Sequence, residues 1–259
     1  MSVKRKEFKS FNIIVIGDTC TDRFVYGDST KLAPEAPVPV FNPISETTNP
    51  GMAGNVVRNT ESLGANVFLV ANKINPLKTR YVDDRSGHIL LRVDENDKVE
   101  RIDKKILHQI SNNQYLNKKI DAIIISDYNK GFLEEDDIKY ICDNNKNVFI
   151  DTKKIIGEWC MNSTFIKINH VEFKNTERTL SNLNIENKLI ITLSNKGCQY
   201  KDKIFPVEVV SVKDVSGAGD TFISGLVVEW TRTRDIEKSI LFAQKCATIV
   251  VQKKGVATI

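Results

Sequence analysis

The nine residues Asp214-Val-Ser-Gly-Ala-Gly-Asp-Thr-Phe222, followed by the apolar, small-residue run Ile223-Ser-Gly-Leu-Val-Val-Glu-Trp230, constrain this chain more than any other stretch. The glycines let backbone approach a ligand, and a helix is predicted to start among them. A glycine-flanked helix start presents unpaired N–H groups and the positive end of the helix dipole, so it stabilises negative charge. Asp220 lies one residue past that turn, beside any phosphate bound there. A carboxylate is a poor holder of an anion but a good general base for an attacking hydroxyl. The chemistry suggested is phosphoryl transfer to an alcohol.

Taken alone, Gly-x-Gly at a helix start also fits an ordinary tight turn. Two other glycine motifs are excluded: no Gly-Lys-Ser/Thr follows, as a P-loop needs, and no third glycine completes a dinucleotide fingerprint after Gly219. The whole 214–222 string resembles the C-terminal signature of the ribokinase-like (PfkB) carbohydrate kinases. The resemblance implies an anion hole at Gly217, Ala218 and Gly219 and a catalytic base at Asp220. It also implies ATP and Mg²⁺ as cofactors.

The chain's 259 residues suit one α/β domain over 1–259. The 37 basic against 33 acidic residues leave a formal charge of +4, too weak a bias for a nucleic-acid protein. The five cysteines are odd in number, widely spaced and free of Cys-x-x-Cys, which suits a reducing cytoplasm. No apolar run approaches membrane-spanning length, so no membrane partner is expected.

Phe11-Asn-Ile-Ile-Val-Ile16 reads as a buried parallel strand ending at Gly17-Asp18. Ligands of open α/β sheets gather at such strand ends, which puts Asp18 and Asp22 within reach of one, although Asp22 also fits a cap or turn. Prolines in Leu32-Ala-Pro-Glu-Ala-Pro-Val-Pro-Val40 forbid helix and favour an extended excursion. That string and the preceding Gly-Asp-x-x-x-Asp-Arg are similar to the branch of the family that phosphorylates D-glycero-D-manno-heptose 7-phosphate at its anomeric hydroxyl. A helix is predicted after Pro50-Gly-Met-Ala-Gly-Asn55, with Val56, Val57 and Leu63 as its apolar face and Gly64 at its end. The resemblance makes Asn55 and Gly51 sugar-binding, with Pro50 where relatives often have a second glycine. Asn66-Val-Phe-Leu-Val70 is predicted as a second buried strand. The family's next helix and strand are missing, so the fold is expected to be shortened by about one helix-strand unit. Alternating segments within 20–50 and 78–103 are predicted as a small β lid, with Lys78, Arg80 and Arg92 as candidate contacts to a substrate phosphate. For any one of these cations a solvated edge-strand role is equally open.

Ile120-Asp-Ala-Ile-Ile-Ile-Ser-Asp127 is another strand, and Asp127-Tyr-Asn-Lys-Gly131 resembles the heptose kinases' Asp-Tyr-x-Lys-Gly, which marks Asp127 and Lys130. Residues 134–142 read as an amphipathic helix and Asn147-Val-Phe-Ile-Asp151 as the next strand. Lys153 follows, either as a contact to the transferring phosphoryl group or as a salt-bridge partner of Asp151. Asn169 and Glu172 match the family's Asn-x-x-Glu, which organises Mg²⁺ through water, and equally make a helix cap. Thr192, Ser194 and Gly197 match the nucleotide-side strand and turn. Gln244 stands where relatives usually carry an adenine-side Asn. The resemblance implies a mostly parallel sheet between helices and a sugar-phosphate substrate, and an exposed lid edge would suit a homodimer. Other sugar or nucleoside kinases of this fold, and a catalytically weak binding protein, remain alternatives.

Overall fold

The structure is a computed structural model describing residues 10–112, 114–180, 183–253 and 255–259. Its elements in chain order are β1 (Asn12–Gly17), β2 (Thr19–Leu32), β3 (Pro39–Met52), α1 (Ala53–Ser62), β4 (Asn66–Ala71), β5 (Leu77–Asp83), β6 (Ile89–Glu95), α2 (Lys104–Ser111) and β7 (Ala122–Asp127). There follow α3 (Glu135–Asn144), β8 (Val148–Thr152), β9 (Phe165–Asn169), α4 (His170–Leu180), β10 (Leu189–Thr192), β11 (Cys198–Tyr200), β12 (Lys203–Phe205), α5 (Ala218–Thr233) and α6 (Ile236–Val250).

The main sheet has the strand order β12-β11-β10-β9-β8-β7-β1-β4. It is parallel from β4 to β10 and closes with an antiparallel β10–β11–β12 meander. The β-branched runs build it because alternate residues of each strand enter different cores. Ile14 and Ile16 of β1, Ile123 and Ile125 of β7, and Val148 and Ile150 of β8 join Leu107, Ile110, Ile138 and Ile141 of α2 and α3. Their neighbours Ile13, Val15, Ala122, Ile124 and Phe149 pack with Ala53 and Val56 of α1, Phe222 to Val228 of α5, and Ile240 and Ala243 of α6. Helices thus cover both faces. Because the core strands are parallel, Asp18, Tyr128, Lys153, Asn169 and Thr192 all emerge along one edge of the sheet, where α5 also starts.

The second sheet has the order β3-β2-β5-β6. β2–β3 and β5–β6 are antiparallel and β2–β5 is parallel. The proline-containing excursion is a long hairpin, with register shifts at Tyr26/Gly27 and Asp28/Lys31. This is the small lid sheet.

One strand departs from expectation. β4 is not buried like β1; it forms the edge of the main sheet, with Asn66 exposed, Leu69 42% exposed and Val70 buried. The chain passes from β4 to β5 through residues 72–76 without another helix or strand, and among the described residues no strand pairs with β4 on its outer side. That passage is pinned by side chains: Thr19 N donates to Asn72 Oδ1 at 2.8 Å, and Thr19 Oγ1 to Asn75 Oδ1 at 2.7 Å.

Candidate active site

Gly217 caps α5 with φ 79°, a left-handed conformation that a β-carbon would strain. The cap brings the first turn of α5, Ala218-Gly219-Asp220, to the floor of a cleft of about 620 Å³. Asp220 is buried there and its two carboxylate oxygens have different donors. Oδ2 accepts from Asn55 Nδ2 at 2.9 Å, and Oδ1 accepts from the Tyr128 hydroxyl at 2.6 Å. Burial raises the Asp220 pKa to about 6, against the opposing pull of those two hydrogen bonds. A carboxylate so poised is ionised at neutral pH yet basic enough to take a proton from an alcohol. Asn55 is held from behind by α1, where Asn59 Nδ2 donates to its carbonyl at 2.9 Å and its side-chain oxygen at 3.2 Å.

Beside Asp220 the cleft is lined by Asp151, Lys153, Lys167 and Asn169. Of the two readings of Lys153, a bridge to Asp151 is not what forms: Lys153 pairs with Glu172, while Asp151 pairs with Lys167 at 2.8 Å. A β-carbon on Gly219 would lie 2.9 Å from the Lys167 ammonium, so this cation sits against the start of α5. Asn169 and Glu172 form a reciprocal helix cap. Asn169 N donates to Glu172 Oε2 at 2.7 Å, and Glu172 N to Asn169 Oδ1 at 2.9 Å. Glu172 Oε1 takes the Asn169 side-chain amide at 2.7 Å as well as Lys153. These oxygens are committed to the cap and to an ammonium. Among the described residues no group of three or more His, Cys, Asp or Glu could hold a metal. A magnesium ion held through water at Asn169 and Glu172 and shared with nucleotide phosphates would draw on the same oxygens that this cap and the Lys153 ammonium use.

The cleft is also lined by Thr192, Ser194, Gly197 and Gln244 and by Val207, Val209, Val210, Val212 and Val215. Gln244 does not reach freely into the space, since its amide donates to Phe205 O at 2.6 Å. Gly197 has φ 91°, and a β-carbon there would meet Phe205 O at 1.9 Å. Gly197→Ala is expected to displace this turn and weaken ATP binding by about tenfold or more, the effect of one strained backbone residue. Calorimetric titration of ATP tests it.

The lid supplies the remaining predicted residues. Asp22 accepts from Arg80 Nη1 at 2.6 Å, and Gly51 lets β3 pass over it, because a β-carbon would lie 2.2 Å from Asp22 Oδ2. The strand register sets Asp22 beside Lys78, and Arg80 opposite Arg92. Arg92 binds Asp94 through two nitrogens at 2.7 and 2.8 Å, Lys78 lies 3.9 Å from Asp97, and Lys130 also pairs with Asp97. Lys78 and Arg80 of β5, Arg92 of β6 and Lys130 from the segment after β7 are thus paired among Asp22, Asp94 and Asp97. Asp97 Oδ1 is buried there without a hydrogen-bond partner.

Asp22, Gly51, Asn55, Arg80, Asp127 and Lys130 are not among the residues lining this cleft, and of these Asp127 is engaged at the ends of the two central strands β7 and β8. Its buried carboxylate accepts from Thr152 Oγ1 at 2.5 Å, Lys154 Nζ at 3.1 Å and Asn129 N at 3.0 Å, and it does not line the cleft. It clamps the ends of β7 and β8 together. Three features of the site were not singled out from sequence: Tyr128, Lys167 and the valine-rich 207–215 segment. Lys167 carried a signal, a lone cation in the middle of the apolar strand Phe165-Ile-Lys-Ile168.

The model for the pfkB family of carbohydrate kinases matches residues 93–259. The bifunctional protein HldE of Helicobacter pylori is 30% identical, over 95% of this chain and 64% of its own length. HldE of Sulfurimonas denitrificans is also 30% identical, over 98% of this chain and again 64% of its length. The chain therefore spans somewhat less than two thirds of the curated relatives it matches. Arabidopsis thaliana ribokinase, solved with ribose and ATP, superposes with a TM-score of 0.66 at 13% identity, covering 95% of this chain and 94% of its own. At that identity the likeness concerns the fold.

Proposed function

Because the chain belongs to the pfkB family of carbohydrate kinases, we propose that it transfers the γ-phosphoryl group of ATP to the anomeric hydroxyl of D-glycero-D-manno-heptose 7-phosphate. The observation that carries this reading is the buried Asp220 carboxylate on the first turn of α5, facing the cleft between Asn55 and Lys167. Asp220 takes the hydroxyl proton as that oxygen attacks the γ-phosphorus; the bond from phosphorus to the bridging oxygen breaks, and ADP departs. The N–H groups of Gly217 and Gly219 and the Lys167 ammonium meet the charge that develops on the phosphates, while the Ala218 N–H of the expected anion hole donates to Val215 O at 3.2 Å. Thr192, Ser194 and Gly197 take the nucleotide, and the valines of 207–215 give its base an apolar wall. Asp22, Asn55 and Gly51 orient the sugar.

The heptose phosphate is favoured over a neutral sugar by a group of cations on and beside the lid. Lys78, Arg80, Arg92 and Lys130 pair with neighbouring carboxylates, and a substrate phosphate can exchange with these. The strings at 18–40 and 127–131 point to the same acceptor, as does likeness to HldE.

The test is ATP consumption by the purified protein against the heptose 7-phosphate, fructose 6-phosphate, ribose and adenosine. Selective turnover of the heptose phosphate, with new phosphate on the anomeric oxygen, is the expected result. Preference for another acceptor overturns the substrate assignment, and no turnover at all overturns the kinase reading. Lys78→Met is expected to raise KM for the phosphorylated sugar about 10- to 100-fold with a smaller change in kcat, which steady-state kinetics will show.

A further inference from the structure

The segment after β7 does more than connect. Its conformation is set by Asp18, at the end of β1, whose buried carboxylate accepts the backbone N–H of Tyr128 at 2.7 Å, of Phe132 at 3.2 Å and of Lys130 at 3.4 Å. Three donors around one carboxylate hold the loop as a rigid arch. Asn129 sits within it at φ 56°. The arch aims the Tyr128 ring into the cleft, beneath the Lys153 ammonium at 5.5 Å from the ring centroid, and brings its hydroxyl 2.6 Å from Asp220 Oδ1.

We propose that Tyr128 is a positioning residue for the phosphoryl transfer: its hydroxyl, fixed by the Asp18 arch, holds the Asp220 carboxylate in one rotamer and sets how strongly it binds a proton. This rests on the kinase reading above. The second oxygen, Oδ2, is held by Asn55, so each carboxylate oxygen has one fixed donor and a remaining lone pair for the substrate proton. Burial and the Asp220 charge push the Tyr128 phenol well above its ordinary range, so it stays a donor wherever Asp220 is ionised. The other charged or titratable groups facing Asp220 are Asp151 from β8, Lys153 just after it, Lys167 from β9 and Cys20 from β2. None of them bonds to the carboxylate directly.

The experiment is a carboxyl ¹³C NMR titration of Asp220 without substrate, its resonance assigned by its loss in Asp220→Asn. Three proteins are compared: wild type, Tyr128→Phe, and wild type grown with 3-fluorotyrosine. Loss of one charge-assisted donor is expected to raise the Asp220 titration by about one pH unit in Tyr128→Phe. The more acidic fluorophenol is a stronger donor and is expected to move the titration the other way. In turnover, the acid limb of the kcat profile follows the same order, with KM for ATP nearly constant. Titration curves that coincide in the three proteins overturn the proposal, as does a uniform fall in kcat with an unmoved acid limb. Because the titration needs no acceptor, a shifted carboxyl in a protein that phosphorylates nothing upholds the hydrogen bond and overturns only the kinase reading. The fluorotyrosine protein keeps the test decisive if Tyr128→Phe fails to fold.

Discussion

Asp220→Asn is expected to lower kcat about a hundred- to ten-thousand-fold while leaving ATP affinity nearly unchanged, the range lost when a positioned general base is removed. The amide keeps the size of the carboxylate and can still accept from Tyr128; Asn55 must turn its own amide to face it. The wild-type rate has a matching pH dependence. The base must be ionised, so kcat falls as pH drops through about 6, the value to which burial raises Asp220. The same shift gives stability an opposite trend. A carboxyl whose folded pKa lies near 6, against 3.8 for an ordinary aspartate, favours the fold below about pH 4. That contribution fades as pH rises through 6, costing about 3 kcal/mol at pH 8. Asp220→Asn should therefore melt higher than wild type at pH 8 and level with it near pH 4. Calorimetric melts across that range check the trend, and a variant less stable at pH 8 would show that Asp220 serves the fold and not the chemistry.

Much of this was readable in the chain because the parallel strands and the α5 turn are local events. Runs such as Ile13 to Ile16 and Ile123 to Ile125 are apolar on both faces, and that suffices to bury them in a doubly covered sheet. Gly217 and Gly219 mark a helix start that backbone geometry requires. What was not readable depends on which side chains meet across the sheet. The 66–70 run has the composition of a central strand, and it is an edge because, among the described residues, no strand pairs beyond it. Asp127 ends a strand at the ligand side, and its partners there, Thr152 at the end of β8 and Lys154 just beyond it, could not be read from the sequence. Lys153, just beyond β8, pairs not with Asp151 two positions before it but with Glu172, 19 positions on, since Asp151 turns toward Lys167. Tyr128 lies in a string that was legible, yet its contact with Asp220 spans 92 positions and could be found only in three dimensions.

Lys167→Met separates a structural from a functional contribution at the same residue. Lys167 and Asp151 are both buried and 2.8 Å apart, on the adjacent strands β9 and β8. Removing the cation leaves the Asp151 carboxylate buried without its partner, at an expected cost of about 3 to 5 kcal/mol. That is a large part of the stability of an ordinary domain, and melting should fall by roughly 10 °C. The double variant Asp151→Asn/Lys167→Met removes both charges, and most of the melting temperature should return. Turnover should not return with it. The Lys167 ammonium lies against Gly219 at the start of α5, so in the proposed reaction it would add a full positive charge beside the transferring phosphate. The loss of kcat is expected to be about a hundredfold in both the single and the double variant. If the double variant regains wild-type kcat along with its stability, Lys167 acts only as the partner of Asp151. If it folds like wild type and stays slow, the charge itself works on the transferring phosphate.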